Sequence, residues 1–169
     1  FAAGTLIQTI EGPKKVETLE VGDLVLTMDN SYRPLRWLGN TQLDAATLEA
    51  AERLRPIRIT AGALGNNMPE TDLIVSPQHR MLLRSKVALR MFGETEVLVS
   101  ARSLTVLDGV DVAWDHEPVS YFHMMFDQHE IVYANGTPAE SLYLGKMAIK
   151  ALPAASRREI LDIFPNIEE

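Results

Sequence analysis

Short apolar and β-branched runs, each closed by a turn signal, recur along almost the whole chain, and this punctuation limits the fold more than any other feature. Residues 4–10 alternate and are rich in β-branched types, Gly12-Pro13 marks a turn, and residues 16–27 carry strand signals on either side of Gly22-Asp23. Asp29-Asn30-Ser31 is another turn, followed over residues 34–39 by a short strand with Trp37 as its aromatic anchor. Further strands are expected at residues 57–60, 73–75, 81–83, 97–99, 104–106 and 119–126. The absence of βαβ alternation disfavours a parallel sheet, so the chain reads as mainly β, either sandwich-like or wound.

Two stretches depart from that pattern. In residues 44–54, Asp44 can cap a helix carried by Ala45, Leu48, Ala51 and Glu52, which Arg55-Pro56 closes. Near the end, Pro153 can occupy a first helical turn, with Ile160, Leu161 and Phe164 on one side before Pro165, a helix expected to cap the β body at about 153–164. A length of 169 residues suits one hydrophobic core, and with no repeat or linker the whole of 1–169 reads as a single domain.

Composition excludes several classes of function. A net charge of −7 with scattered basic residues argues against a nucleic-acid partner, since phosphate binding needs clustered Lys and Arg. No apolar run is long enough to span a bilayer and no secretory signal opens the chain, so no membrane partner is expected and the chain reads as soluble. With no cysteine there is neither a disulfide framework nor a thiolate metal site. A chain that opens on Phe1 rather than methionine is expected to be a piece of something longer.

Three blocks occur in order within residues 1–141: Phe1-Ala2-Ala3-Gly4-Thr5-Leu6-Ile7 with residues 16–27, which carry Leu19-Glu20-Val21-Gly22-Asp23-Leu24-Val25-Leu26; Ser76-Pro77-Gln78-His79 after residues 72–75; and residues 129–136, from His129 to Asn135-Gly136. Together they resemble the Hedgehog/intein (Hint) family of self-processing domains, in the wording of its bacterial intein-like subgroup. The resemblance implies a Hint-type wound β fold with one helical insertion and a C-terminal helix. It also implies a nucleophilic cysteine immediately before Phe1. In splicing relatives the third block closes with His-Asn, whereas Glu140-Ser141 stands here. That departure points to cleavage at the N-terminal junction by an N-to-S acyl shift, without full splicing. The host would be a larger bacterial protein, often secreted or at the cell surface.

The chemistry so implied asks for groups that stabilise a tetrahedral oxyanion and protonate the departing nitrogen. His79 is the candidate proton donor, because an imidazole exchanges protons near neutral pH. Ser76 is the candidate hydroxyl for the scissile peptide or its oxyanion, His129 matches the third-block histidine of later steps, and Asp72 could orient His79. His116 and His123 match no motif and default to structural roles, as do Trp37 and Trp114. No cofactor is required. The partners are the domain's own N-terminal flank as substrate and water, a thiol or an amine to resolve the thioester. Without the cysteine, residues 1–169 offer no thiolate and should be inactive. The motifs leave room for a non-catalytic structural or interaction module, and for an ordinary hydrolytic site acting on an external substrate. A zinc site and a serine-hydrolase elbow lack their spacing signatures.

Overall fold

The computed structural model describes residues 1–84, 86–141 and 152–165, with Val87 described in its backbone only. Strands dominate and every pairing is antiparallel. The largest sheet takes β1 (Leu6–Thr9), β2 (Gly12–Lys15), β3 (Leu24–Thr27), β4 (Ser31–Pro34), β8 (Arg80–Leu83), β9 (Val97–Ser100), β12 (Ile131–Ala134) and β13 (Thr137–Glu140). A second holds β6 (Ile57–Ile59) between β7 (Leu73–Val75) and β10 (Val110–Val112). The third pairs β5 (Trp37–Leu43) with β11 (Val119–Met125) over seven residues, placing His123 opposite Gly39.

Asn135-Gly136 joins β12 to β13 as a two-residue turn with φ of 47° and 78°, the positive pair that a type I′ hairpin demands. A Cβ at Gly136 would stand 2.6 Å from Glu70 Cδ, so a side chain there meets strain and collision together. The Asn135 side chain accepts from Leu6 N at 2.7 Å and donates to the Asp72 carbonyl at 3.0 Å, tying the hairpin to both β1 and the entry of β7.

The first residues are threaded into the interior. Phe1 and Phe122 exchange two backbone hydrogen bonds, Phe1 N to Phe122 O at 2.8 Å and Phe122 N to Phe1 O at 2.7 Å, while Ala2 N donates to Ile74 O at 2.9 Å. Phe1 is buried within the main core with Ile7, Val75, Met81, Phe122 and Val132, a burial worth about 1.5–3 kcal/mol for such a side chain.

Asp44 caps α1 (Ala45–Ala50) by accepting from Thr47 N at 2.8 Å, and a short 3₁₀ turn over Glu52–Leu54 completes the expected helical insertion. Three expectations are corrected. Residues Arg102–Val106 form a 3₁₀ turn rather than a strand, because Leu104 alone turns inward while Val106 is 69 % exposed, and Ser103 N donates to Ser100 Oγ just ahead of the turn. Val16–Thr18 likewise forms a 3₁₀ turn. A second helical insertion, α2 (Lys86–Phe92), stands between β8 and β9; it leaves Leu89, Met91 and Phe92 exposed, so no apolar stripe of helical period marks it.

The terminal helix is present as α3 (Ala154–Ile163), with Pro153 at its N-terminal boundary. Its buried face differs from the expected one: Ile160 and Phe164 are inside, Leu161 is half-buried, and Ser156 and Glu159 are buried beside Ile160 and Ile163. Thr41 Oγ1 donates to Ile163 O at 2.8 Å, Arg53 pairs with Asp162 at 2.7 Å, and Phe164 packs edge-on against Trp37. Among the described residues no helix is long and apolar enough to cross a membrane.

Candidate active site

Three segments converge beside the nitrogen of Phe1. The first is the turn after β7, where His79 N donates to Ser76 O at 3.1 Å, closing Ser76-Pro77-Gln78-His79 on itself. Pro77 suits such a turn because it fixes φ and donates no amide hydrogen. The second is β11, which contributes His123. The third is α3, which contributes Glu159. All four side chains are buried, from Ser76 at 0 % exposure to His79 at 9 %. His79, His123, Glu140, Ser156, Glu159 and Ile160 border a small cavity of about 30 Å³.

The rings stack inward in series. Phe1 and His79 lie 4.2 Å apart between ring centres, His79 and His123 5.8 Å, and His123 and Phe164 5.1 Å. His79 Nε2 is 2.9 Å from the backbone oxygen of Glu140. A carbonyl oxygen only accepts, so Nε2 carries the hydrogen and Nδ1 of the neutral ring is left as an acceptor. Burial, reinforced by the Phe1 ammonium, pushes His79 down to about 3. Burial and the same two neighbours, Phe1 and His79, hold His123 well below the ordinary imidazole value. Both rings are therefore neutral at pH 7.

Glu159 shifts in the opposite direction. Burial pushes its carboxyl up to about 7, although Gln78 N donates to its two oxygens at 3.1 and 3.2 Å. The Ser76 hydroxyl lies beside this carboxylate and favours its charged form, but falls short of hydrogen-bond geometry. Ser76 Oγ and His123 Nδ1 are thus sealed from solvent without a hydrogen-bond partner. Unsatisfied polar atoms of this kind are uncommon in interiors, and a catalytic role is one of their recognised causes. Among the described residues no group of three or more His, Asp or Glu side chains is placed so as to hold a metal ion.

Glu140 separates this pocket from an outer face. Its carbonyl accepts from His79, while its carboxylate takes His129 Nε2 at 2.8 Å and Arg80 Nε at 2.7 Å, with Arg80 Nη2 in close contact as well. Burial pushes the Glu140 carboxyl up, but hydrogen bonds from His129 and Arg80 outweigh it and hold the group below the ordinary carboxylate value.

Residues 1–146, more than four-fifths of the chain, match the Hint domain family. The chain belongs to the Hint family. No curated protein sequence matches it. Among solved structures this Hint domain is similar to the bacterial intein-like domain from Clostridium thermocellum, at 15 % identity and a TM-score of 0.55 over 84 % of this chain and 97 % of that one. It is also similar to the AceL NrdHF class 3 split intein in a GSH-linked, splice-inactive form, at 16 % identity and a TM-score of 0.50, again over 84 % and 97 %. At these identities the likeness concerns the fold, and the mainly β architecture of the Hint domain agrees with it.

Of the residues singled out from the sequence, Ser76 and His79 stand together in one buried turn, His79 on the cavity and Ser76 beside Glu159. Asp72 does not: its exposed carboxylate accepts from Ala61 N at 2.9 Å, and the acids nearest His79 are Glu140 and Glu159. The extended strand β7 lies between Asp72 and Ser76, so four positions of sequence separation carry the acid to the far end of the strand and out of the site. His129 precedes β12 rather than lying in a strand, and it is 42 % exposed on the outer face of the Hint domain. His123 and Glu159 were missed. The block Tyr121-Phe122-His123 offered a signal for the first, as a histidine inside a run of apolar strand residues. An acid beside Ile160 on the inner face of the terminal helix was the signal for the second.

Proposed function

We propose that this Hint domain cleaves the peptide bond at its own N-terminal junction, by an N-to-S acyl shift from a cysteine preceding Phe1 and without full splicing. The observation that carries the reading is the buried backbone slot of Phe1. Its nitrogen donates to Phe122 O within a strand-like exchange, and burial, only partly offset by Glu159, pushes a free amine there down to about 5. An amide suits this slot better than an ammonium. A residue attached to that nitrogen would be held beside Ser76, His79 and His123.

In this reading the cysteine sulfur adds to the preceding carbonyl carbon, and the Ser76 hydroxyl, free of other partners, donates to the resulting oxyanion. His79 Nδ1 receives the thiol proton in passing and gives it to the departing nitrogen as the oxyanion collapses and the carbon–nitrogen bond breaks. Burial makes its imidazolium a strong acid, so the transfer runs toward the amine. Arg80 and His129 hold the Glu140 side chain, whose backbone carbonyl fixes the His79 ring; Arg80 grips that carboxylate through two nitrogens, so His129 stays outside the reacting centre. The substrate is the domain's own N-terminal flank, and no cofactor takes part. Water, a thiol or an amine then resolves the thioester. A groove of about 390 Å³ that reaches Gln78 and Glu159 from outside is wide enough for such a molecule.

The test fuses a reporter domain and one cysteine ahead of residues 1–169 and follows intact mass with and without dithiothreitol or hydroxylamine. Release of the reporter at the cysteine, lost by at least about 10²-fold in His79→Ala, is the expected result. A folded protein that stays intact under both treatments would leave a structural module as the better reading.

A further inference from the structure

The Hint family match ends at residue 146, yet the acid bordering the pocket without a salt bridge belongs to α3, beyond that boundary. Among the described residues Glu159 has no Lys or Arg partner, in contrast to Glu140, which holds Arg80 and His129. A helix that served only to cover the β body would place an apolar residue at a position 5 % exposed beside Ile160 and Ile163, since a buried carboxyl carries a desolvation penalty. Instead the carboxylate is held by Gln78 N, the amide one residue before His79, so α3 grips the same loop that presents Ser76 and His79.

We propose that α3 completes the processing site by supplying Glu159 as the group that takes the proton from the nucleophile preceding Phe1 and stores it for the departing nitrogen. This rests on the self-processing reading above. The cysteine Sγ–H proton passes to a Glu159 oxygen as the sulfur–carbon bond forms and the carbonyl becomes an oxyanion. Collapse re-forms the carbonyl and breaks the carbon–nitrogen bond, while the Glu159 proton moves through His79 Nδ1 to the freed amine. One proton travels from sulfur to nitrogen, an amide and a thiol become a thioester and an amine, and no further reactant is needed.

Several charged or titratable groups face Glu159. From the β body these are His79, His123 and Tyr121, together with Glu140 and its partner Arg80 across the cavity. Toward solvent, Arg53, Arg102 and Arg158 line the outer groove, and Asp162 lies one turn along α3 and pushes the carboxyl up. With His79 and His123 both shifted far below neutrality, Glu159 at about 7 is the pocket group that titrates at working pH, where a proton acceptor is most effective.

The experiment measures hydroxylamine-trapped cleavage of the reporter–cysteine fusion from pH 5.5 to 9 in the wild type, Glu159→Gln and Glu159→Asp, with thermal melts to verify folding. The wild-type rate should rise through a midpoint near 7. In Glu159→Gln it should drop roughly 10²-fold at pH 7.5, with its midpoint displaced toward the ordinary thiol value of about 8.5. Glu159→Asp should restore part of the rate together with a midpoint below that of the thiol. A folded Glu159→Gln protein that cleaves within threefold of the wild type, with the same pH profile, would overturn the assignment of Glu159 alone. Should Glu159→Gln fail to fold, a wild-type profile with no midpoint between pH 6 and 8 would overturn it equally. A folded wild-type fusion that never cleaves would bring down the self-processing reading and this proposal with it.

Discussion

Glu140 touches two histidines, one by its backbone and one by its side chain, and their surroundings could hardly differ more. On the inner side His79 is stacked on Phe1, buried, neutral and hydrogen-bonded to a carbonyl; on the outer side His129 is open to water and sits on a carboxylate shared with Arg80. The residue type is the same. Desolvation makes the inner ring a poor base whose protonated form is a strong acid, whereas the outer ring lies against the Arg80–Glu140 ion pair where solvent can screen it. Chemistry at the junction is therefore expected to depend on the inner set and to be nearly indifferent to the outer one.

The largest effect is expected at Ser76. Its hydroxyl makes no hydrogen bond in the folded protein, so Ser76→Ala should leave the urea unfolding midpoint unchanged while slowing cleavage of the cysteine fusion by about 10²-fold, as loss of an oxyanion donor does. Equal losses of stability and rate would place Ser76 among the packing residues instead.

A second difference is one of sign. His79 is depressed on folding, so its contribution is present above the unfolded value of 6.5 and is lost as pH falls toward 3. Glu159 is raised on folding, so its contribution is fully present below the unfolded value of 4.5 and is lost as pH rises to about 7. Between those limits the two slopes oppose each other. Removing one should expose the other: Glu159→Gln is expected to gain about 1–3 kcal/mol relative to the wild type between pH 5 and pH 7.5, read from urea titrations at both pH values. A constant offset between the two proteins would show that Glu159 does not titrate in that window.

The smallest effect belongs to the outer face. His129→Ala leaves Arg80 on Glu140, so stability should fall by less than about 1 kcal/mol and cleavage should stay within a few-fold of the wild type. A loss comparable to that of His79→Ala would move His129 into the reacting centre and erase the distinction between the two faces.

Strand positions were largely legible because their cues are local. Residues 73–75 form β7 as expected, and Asp44 caps its helix through a contact with Thr47 three residues away. Residues 104–106 lack the expected strand because a lone buried leucine beside exposed neighbours has the apolar content of a strand without its period, and α2 carries no sequence mark because Leu89, Met91 and Phe92 stay exposed. Within the site, Ser76 and His79 were visible as a spaced pair in one turn. His123 and Glu159 were not, since each lies far along the chain and carries no motif of its own.

By itself the sequence determined the family, the mainly β character, the Asn135-Gly136 hairpin and the Ser76–His79 turn, all of which rest on neighbouring residues and on blocks in fixed order. Only the tertiary structure decided that His79 and His123 are neutral, that Asp72 faces away, and that a carboxylate from α3 stands against the loop of His79. The physical reason is that protonation and proton transfer depend on burial and on distances between distant segments, and these exist only once β7, β11 and α3 have packed around Phe1.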